Sequence, residues 1–377
     1  MIYLDHAAAT PVSAKVLEAM KPYFLDEFFN PSSAYLPAKK VSADYEAAKG
    51  EIAHAIGAKG NDIIITAGAT EANNLAFTAI SSNAKVLYLK TEHDSVRNPA
   101  RQFDYEEIEV DKNGRIVLDD LKKKISENTE MISVALANNE LGTIQPLAEI
   151  ASLIREIRIE RMQKKNPHPL FLHSDASQAM NLLDINVARL GVDLLTLNAA
   201  KVYGPKGVGA LYVAHDVRLK PVTLGGGQEN GLRSGTQNVP GVIGFAVALK
   251  NAKEHLNGNR KKYAEMRKAL LNEVKGYELI NKKYSLDNFV VLCFDGLDAE
   301  RLIYALEDRG VYVSTGAACA ASKGVRSHVL MAIGLTESEI AGSLRITLGE
   351  TNTLEQIHEA AKIINEVVEA EKARISG

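Results

Sequence analysis

The stretch IIITAGATEANNLAFTAI, residues 63–80, contains the pattern that decides the fold. The short apolar run Ile63–Thr66 predicts a strand, AGAT predicts a turn, and EANNLAFTAI predicts a helix. Similar apolar runs recur along the chain at Val86–Leu89, Ile132–Leu136, Leu170–His173, Leu194–Leu197 and Val208–Val213. Helical segments such as Leu147–Arg158 separate several of these runs. This alternation favours an α/β domain built on a mostly parallel sheet.

The pattern changes near residue 255. A charged helical stretch, Arg260–Lys275, is followed by alternating strand-like and helix-like segments: NFVVLCF, AERLIYALEDRG, VYVST and SLRITLG. A few strands flanked by helices indicate a smaller α+β domain. We therefore expect a domain boundary near residue 255.

The composition is that of a globular protein, and its length of 377 residues suits two domains. The formal net charge of −3 gives no reason to expect a nucleic-acid or membrane surface. The longest uncharged apolar run, residues 238–249, is shorter than the roughly 20 residues that span a bilayer. The N-terminal residues MIYLDHAAATP do not resemble a signal peptide. A cytoplasmic location is expected.

Several polar residues directly follow predicted strands, where ligands of parallel sheets bind. Thr70 opens a helix whose free N–H groups would suit a phosphate, although an ordinary threonine N-cap is an equally simple interpretation. His93 could act as an acid or base, or could merely cap a helix. The pair Asn138-Asn139 could bind a ligand or form a turn.

Two further strands lead to Asp175 and Lys201. A carboxylate at the end of a buried strand is costly unless it meets a positive group, such as a protonated pyridine nitrogen, or caps a helix. A lysine at the ligand edge of a sheet can lose its charge and act as a nucleophile. Neither residue is decisive when taken alone.

The chain has two cysteines, Cys293 and Cys319, with no CxxC pair to suggest a zinc site or a disulfide framework. Cys293 lies within the apolar run FVVLCF, which predicts a buried core position. Cys319 lies in STGAACAAS, a run of very small residues in which a thiol should be accessible. The sequence therefore predicts that Cys319 is the reactive thiol, and it predicts no metal site.

The order of the motifs along the chain is more specific than any one of them. LDHAAATP, His93, ANNELGT, HSDASQ, AAKVYGPKG, GGGQENGLRSGTQNVPG, STGAACAAS and SLRITLG follow one another from residue 4 to about residue 349. In this the chain resembles the cysteine desulfurases of the NifS/IscS-like group. The resemblance covers nearly the whole sequence.

The resemblance implies the aspartate-aminotransferase-like fold. In this fold we expect a large cofactor-binding domain over residues 12–255 with a mostly parallel seven-stranded sheet, and a small domain formed by residues 1–11 and 256–377. The resemblance also implies a homodimer and the cofactor pyridoxal 5'-phosphate. It implies that L-cysteine becomes L-alanine while the sulfur passes to Cys319 as a persulfide. An acceptor protein, such as an iron–sulfur scaffold or a tRNA-thiolation carrier, then takes the sulfur. The sequence does not distinguish between these acceptors.

The resemblance also assigns roles to individual residues. Lys201 carries the cofactor and removes the α-proton, and His93 lies over the ring and moves protons. The other expected cofactor contacts are Asp175 at the pyridine nitrogen, Gln178 at the phenolic oxygen, and Ala69, Thr70 and Asn198 near the phosphate, with Thr236 reaching the phosphate of the other subunit. The expected substrate contacts are Asn30, Asn138, Asn139 and Arg345, of which Arg345 binds the carboxylate.

The chain departs from the family pattern beside Lys201. Asn198 and Ala200 stand where a serine and a histidine usually help to hold the phosphate. Loss of a charge-assisted hydrogen bond costs roughly 1.5–3 kcal/mol, so the sequence predicts weaker cofactor retention than is usual. The cysteine loop also has fewer hydroxyl groups than the serine-rich loop of the family.

Two alternative functions follow from the same residues. One is a different enzyme of this fold, such as an aminotransferase or a selenocysteine lyase, although an aminotransferase has no use for Cys319. The other is a non-catalytic member that binds partners, which the replacements at Asn198 and Ala200 motivate.

Overall fold

The computed structural model describes residues 1–315 and 326–376. Its strands are β1 (Ile2–Tyr3), β2 (Ile63–Thr66), β3 (Lys85–Leu89), β4 (Asp104–Ile108), β5 (Thr129–Ser133), β6 (Phe171–Asp175), β7 (Leu194–Asn198), β8 (Gly209–Val213), β9 (Glu278–Leu279), β10 (Phe289–Cys293), β11 (Val311–Tyr312), β12 (Ser314–Thr315) and β13 (Ser343–Thr347).

The α-helices range from one turn to 35 residues in length. The full set of α-helices in the described residues is α1 (Ala14–Met20), α2 (Pro22–Leu25), α3 (Leu36–Ala55), α4 (Ala69–Ala76), α5 (Asp94–Ala100), α6 (Leu118–Lys124), α7 (Leu147–Gln163), α8 (Val187–Leu190), α9 (Val239–Glu273), α10 (Ala299–Asp308), α11 (His328–Ala332), α12 (Glu337–Ala341) and α13 (Leu354–Ser376). Within the described part of the chain, no helix is long and apolar enough to cross a membrane.

The large sheet has the strand order β2-β8-β7-β6-β5-β3-β4. Its strands run parallel except for β8, which pairs antiparallel with β2 and β7. This confirms the predicted α/β class and the mostly parallel seven-stranded sheet. Apolar side chains of β2 alternate between its faces, with Ile63 and Ile65 in one core and Ile64 in the other. Helices therefore cover both sides of the sheet.

A second sheet has the antiparallel order β12-β13-β10-β9, and β1 pairs in parallel with β11 beside it. Alternate residues of β10 again reach opposite faces, with Leu292 in the main core and Cys293 in a smaller cluster. Cys293 is 2% exposed, which confirms its predicted core position. Burial raises the pKa of its thiol to about 11, so this thiol is a poor nucleophile at neutral pH.

The structure differs from the sequence-based expectations at two strands, and it shows one continuous helix at the expected domain boundary. Strand β4 was not predicted, because DYEEI is polar and lies at the edge of the sheet. Strand β5 begins three residues before the predicted run Ile132–Leu136 and ends at Ser133. The chain passes residue 255 inside the continuous helix α9, so the predicted change of domain coincides with no break in secondary structure. The division into two domains stays a prediction.

Candidate active site

A cavity of about 350 Å³ lies at the carboxyl ends of the parallel strands. The residues that follow β3, β5, β6 and β7 line it together with the start of α4, the N-terminal segment and β13. Nine of the predicted site residues line this cavity: Ala69, Thr70, His93, Asn139, Asp175, Gln178, Asn198, Lys201 and Arg345. The residues that were predicted from the strand ends are therefore gathered around one cavity, as the rule for parallel sheets leads us to expect.

Asp175 ends β6 and is held by two donors. Asn73 Nδ2 donates to its Oδ2 at 2.9 Å, and the backbone N–H of Ser177 donates to its Oδ1 at 2.8 Å. Two residues before Asp175 on the same strand, His173 is fully buried, and this burial lowers its pKa to about 4 despite the nearby Asp175. The imidazole of His173 is therefore neutral near pH 7 and places no positive charge beside Asp175.

Lys201 follows β7 at the end of a single 3₁₀ turn, Ala199–Lys201. Its Nζ donates to the carbonyl oxygens of Ala7 at 2.7 Å and Ala8 at 2.6 Å. Asn198 Oδ1 accepts from the backbone N–H of Ala200 at 3.2 Å and so caps the turn. The N-terminal segment thus supplies the carbonyl groups that hold the lysine, a contribution that strand-end reasoning did not identify.

The first turn of α4 faces the same cavity. Gly68, rather than Thr70, occupies the N-cap position, and its φ of 148° is one that side chains rarely adopt. A Cβ on Gly209 of β8 would lie 2.7 Å from the backbone of Gly68, so β8 needs glycine there for the two segments to pack. The interpretation of Thr70 as an N-cap is therefore wrong, and Ala69 and Thr70 lie at the N-terminus of the helix.

His93 is the N-cap of α5. Its Nδ1 accepts from the backbone N–H of Ser95 at 3.1 Å and lies 2.8 Å from Ser95 Oγ. Because Nδ1 is occupied as an acceptor, the neutral ring carries its proton on Nε2. The capping interpretation of this histidine is confirmed, and the same contacts fix its tautomer.

Arg345 projects from β13 and is 4% exposed. One guanidinium nitrogen donates to Asp5 Oδ1 at 2.7 Å, and another donates to the carbonyl oxygen of Asn139 at 2.9 Å. Its Nε is buried without a hydrogen-bond partner among the described residues. A buried donor without a partner is costly, so the site favours an additional acceptor at this arginine.

Two glutamates that the sequence analysis did not select also line the cavity. Burial raises the pKa of Glu92 to about 8, opposed by a hydrogen bond from Ala135 N and reinforced by Asp175. Burial raises the pKa of Glu140 to about 7, although Ser327 and Arg345 act in the opposite direction. Glu92 follows β3 and directly precedes His93. Its position after a strand is the sequence feature that could have identified it.

Three predicted residues in the described part of the chain do not line this cavity. Asn138 turns its side chain to the backbone, with Oδ1 accepting from Glu140 N and Leu141 N and Nδ2 donating to Thr91 O, and its assignment as a substrate contact stays a prediction. Asn30 is exposed and accepts from Ser32 N. Thr236 lines a second cavity of about 170 Å³. Cys319 lies outside the described residues.

Comparison with known proteins places this site in a family. Residues 2–359 match the model of the aminotransferase class-V family. The chain belongs to this family, whose members depend on pyridoxal phosphate. It is 38% identical to the cysteine desulfurase IscS 1 of Archaeoglobus fulgidus, over 98% of this chain and 97% of the relative. It is 37% identical to the cysteine desulfurase IscS of Dictyoglomus turgidum, over 98% of this chain and 94% of the relative.

Solved structures agree with the family assignment and confirm the predicted fold. A NifS-like protein superposes with a TM-score of 0.89 at 31% identity, covering 98% of this chain and 99% of its own. SspA in complex with cysteine superposes with a TM-score of 0.80 at 33% identity, covering 92% of this chain and 99% of its own. The resemblance read from the motifs is therefore confirmed at the level of family and fold.

Proposed function

We propose that this chain is a pyridoxal-phosphate-dependent cysteine desulfurase that converts L-cysteine to L-alanine. In this reaction the C–S bond of the substrate breaks, a hydrogen replaces the sulfur, and an S–S bond forms on Cys319 as a persulfide. The observation that carries the proposal is one cavity lined by Lys201, Asp175, His93 and Arg345. The relatives named cysteine desulfurase, and the related structure with bound cysteine, support the choice of substrate.

The cavity residues fit the cofactor. The carboxylate of Asp175 would pair with the pyridine nitrogen, and the N-terminus of α4 at Ala69 and Thr70 would receive the phosphate. Ser177 Oγ is buried beside Asp175 without a hydrogen-bond partner in the described residues, as expected if a ligand completes the site. When bound, the cofactor supplies an electron sink for the bonds of the substrate α-carbon.

Side chains around the cofactor would bind the substrate and transfer the protons. Lys201 Nζ, which donates to the carbonyl oxygens of Ala7 and Ala8, would form the covalent link and later accept the α-proton. His93, which carries its proton on Nε2, would act as a proton donor. Arg345 would bind the substrate carboxylate, for which it has a buried Nε without a partner among the described residues.

A homodimer is part of the proposal. An exposed aromatic cluster lies around the predicted substrate residue Asn30, in which the Phe28 and Phe29 rings stack at 4.6 Å and the Tyr35 ring lies 6.0 Å from that of Phe29. Phe28 is 67% exposed and Leu36 79%. Contiguous apolar surface of this kind favours an interface. Association here would bury Asn30, and Thr236 would contact the cofactor of the partner subunit.

The persulfide sulfur would pass to an acceptor protein, such as an iron–sulfur scaffold or a thiolation carrier, in the cytoplasm. No residue of the described structure selects between these acceptors. Replacements at Asn198 and Ala200 keep a non-catalytic, cofactor-poor homologue as the second candidate, because Asn198 Oδ1 is occupied by Ala200 N.

The two cysteines provide a matched test of the proposal. Cys319→Ser should abolish sulfide release from cysteine, because the acceptor thiol is lost, while the visible spectrum of the bound cofactor persists. Cys293→Ser should retain activity, because this thiol is buried and points to Glu339 O. Full activity of Cys319→Ser would favour another enzyme of this fold, and a wild-type protein that stays colourless with added cofactor would favour the non-catalytic homologue.

A further inference from the structure

The glycine-rich segment 223–236, here called the glycine loop, is closed by its own hydrogen bonds. Ser234 N donates to the carbonyl oxygen of Thr223 at 3.1 Å, and Gly235 N donates to Gln228 Oε1 at 3.0 Å. The loop carries Thr236 at its end and lines the second cavity. Because these bonds are internal, they shape the loop without fixing its position on the domain.

Glu229 attaches the glycine loop to the domain. Its Oε1 accepts from the Tyr45 hydroxyl at 2.5 Å, and its Oε2 accepts from Lys49 Nζ at 3.0 Å and from the backbone N–H of Ile65 at 2.8 Å. The side chains of Lys49 and Glu229 are 6% and 5% exposed, so this ion pair is buried. A buried charge pair with hydrogen bonds on both carboxylate oxygens holds a single geometry.

The backbone at the same point is strained. Glu229 has a φ of 48° and Asn230 a φ of 59°, both in the left-handed region that residues other than glycine seldom occupy. Such a conformation persists when surrounding contacts over-determine it. The three donors on the carboxylate of Glu229 supply those contacts.

A second attachment lies close to the first. Arg233 Nε donates to Glu71 Oε1 at 2.9 Å, and Glu71 Oε2 accepts from the backbone N–H of Ala67 at 2.5 Å. Glu229 therefore holds β2 at Ile65, while Arg233 holds the first turn of α4. The two attachments enclose the turn that leads to Ala69 and Thr70.

We propose that Glu229 is a positioning residue that fixes the glycine loop, and with it Thr236, on its own domain beside β2 and the first turn of α4, so that Thr236 is held ready for the partner subunit. The inference rests on the proposed function, in which Thr236 reaches the cofactor phosphate of the partner subunit. Glu229 acts through the loop and touches neither cofactor nor substrate. Its loss should weaken cofactor binding even where the folded domain is retained.

The test compares three variants of the full-length protein. Glu229→Gln removes one acceptor and leaves Lys49 buried without its partner. Lys49→Met together with Glu229→Gln removes that unpaired charge, so it separates lost stability from lost positioning. Glu130→Gln is the matched control, because Glu130 is also a buried glutamate, bound to Ser81 and His168 away from both cavities.

The measurements are the dissociation constant of pyridoxal phosphate from the apo-protein, the melting temperature, and amide hydrogen exchange of residues 223–236. Glu229→Gln should bind the cofactor about tenfold more weakly and exchange faster in the loop. The double variant should regain melting temperature but not cofactor affinity. Wild-type affinity in the double variant, or equal affinity in Glu229→Gln and Glu130→Gln, would overturn the inference. Alanine formation by the wild-type protein tests the proposed function separately.

Discussion

At the end of β6, here called the Asp175 end, Asp175 accepts hydrogen bonds from Asn73 and from Ser177 N. At the end of the neighbouring strand β7, here called the Asn198 end, Asn198 Oδ1 caps its own turn at Ala200 N. Donors from other residues thus hold the carboxylate of Asp175, whereas Asn198 is occupied by its own turn and the side chain of Ala200 donates no hydrogen bond. Under the proposed function, the group at the pyridine nitrogen is therefore retained, while the turn before Lys201 offers fewer donors to the phosphate.

Substitution at the Asp175 end should have the larger effect. Asp175→Asn keeps the shape of the side chain but removes the charge that stabilises a protonated pyridine. Alanine formation from cysteine should fall by roughly 10²–10³-fold, while the protein still binds the cofactor. Steady-state kinetics and the visible spectrum of the same sample check both parts.

Asp184→Asn is the control for that experiment, because Asp184 is exposed and paired with Arg189. It should match the wild-type rate. If Asp175→Asn also matched the wild-type rate, the carboxylate of Asp175 would not be required for alanine formation.

At the Asn198 end, a substitution should increase the affinity for the cofactor rather than decrease it. Ala200→His restores a donor near the expected phosphate position and should lower the dissociation constant of pyridoxal phosphate by about tenfold. Equilibrium titration of the apo-protein measures this constant. Ala200→Leu adds bulk without a donor and should give no gain; equal affinity of the two variants, or wild-type protein that keeps its cofactor through long dialysis, would contradict a weakened phosphate site.

The smallest effect, a change in the pH dependence of stability, is expected at Glu92. Its pKa of about 8 in the folded protein exceeds that of an ordinary glutamate, because burial disfavours the charged form. The folded state therefore holds a proton that the unfolded state has released, and stability falls as pH rises from about 4.5 to about 8. Glu92→Gln should remove this part of the pH dependence.

Melting temperatures at pH 5 and pH 8 measure the effect. The wild type should lose a few degrees more than Glu92→Gln over this interval. Glu18→Gln, at an exposed position paired with Lys21, should behave as the wild type does. An identical pH dependence in the wild type and Glu92→Gln would mean that Glu92 is charged in the folded protein.

The parts of the fold that the sequence predicted share one physical origin. Strands β2, β3, β6, β7 and β8 are buried on both faces, so each reads as a continuous apolar run. Strand β4 lies at the edge and carries charged residues, so no such run marks it. Helix α9 changes from apolar to charged near residue 255 because its surroundings change, and composition alone cannot distinguish that from a break.

The residues of the candidate site also fall into two groups, those that sequence position predicted and those that it did not. Asp175, His93 and Lys201 directly follow strands, so position in the sequence places them in the cavity. The carbonyl groups of Ala7 and Ala8 come from a distant segment of the chain. Because every residue has a backbone carbonyl group, the sequence does not indicate which of them contact Lys201. Arg345 was identified through the family resemblance, because an arginine within a strand gives no sign that it reaches a cavity.

The proposed desulfurase activity depends most on the transfer of sulfur to Cys319. The direct measurement is the mass of the peptide that contains Cys319 after brief incubation of the cofactor-loaded protein with L-cysteine, with Lys201→Ala as the control. We expect one additional sulfur atom on that peptide in the wild type and none in Lys201→Ala. Alanine formation without added sulfur on Cys319, or equal labelling of Cys293, would contradict it.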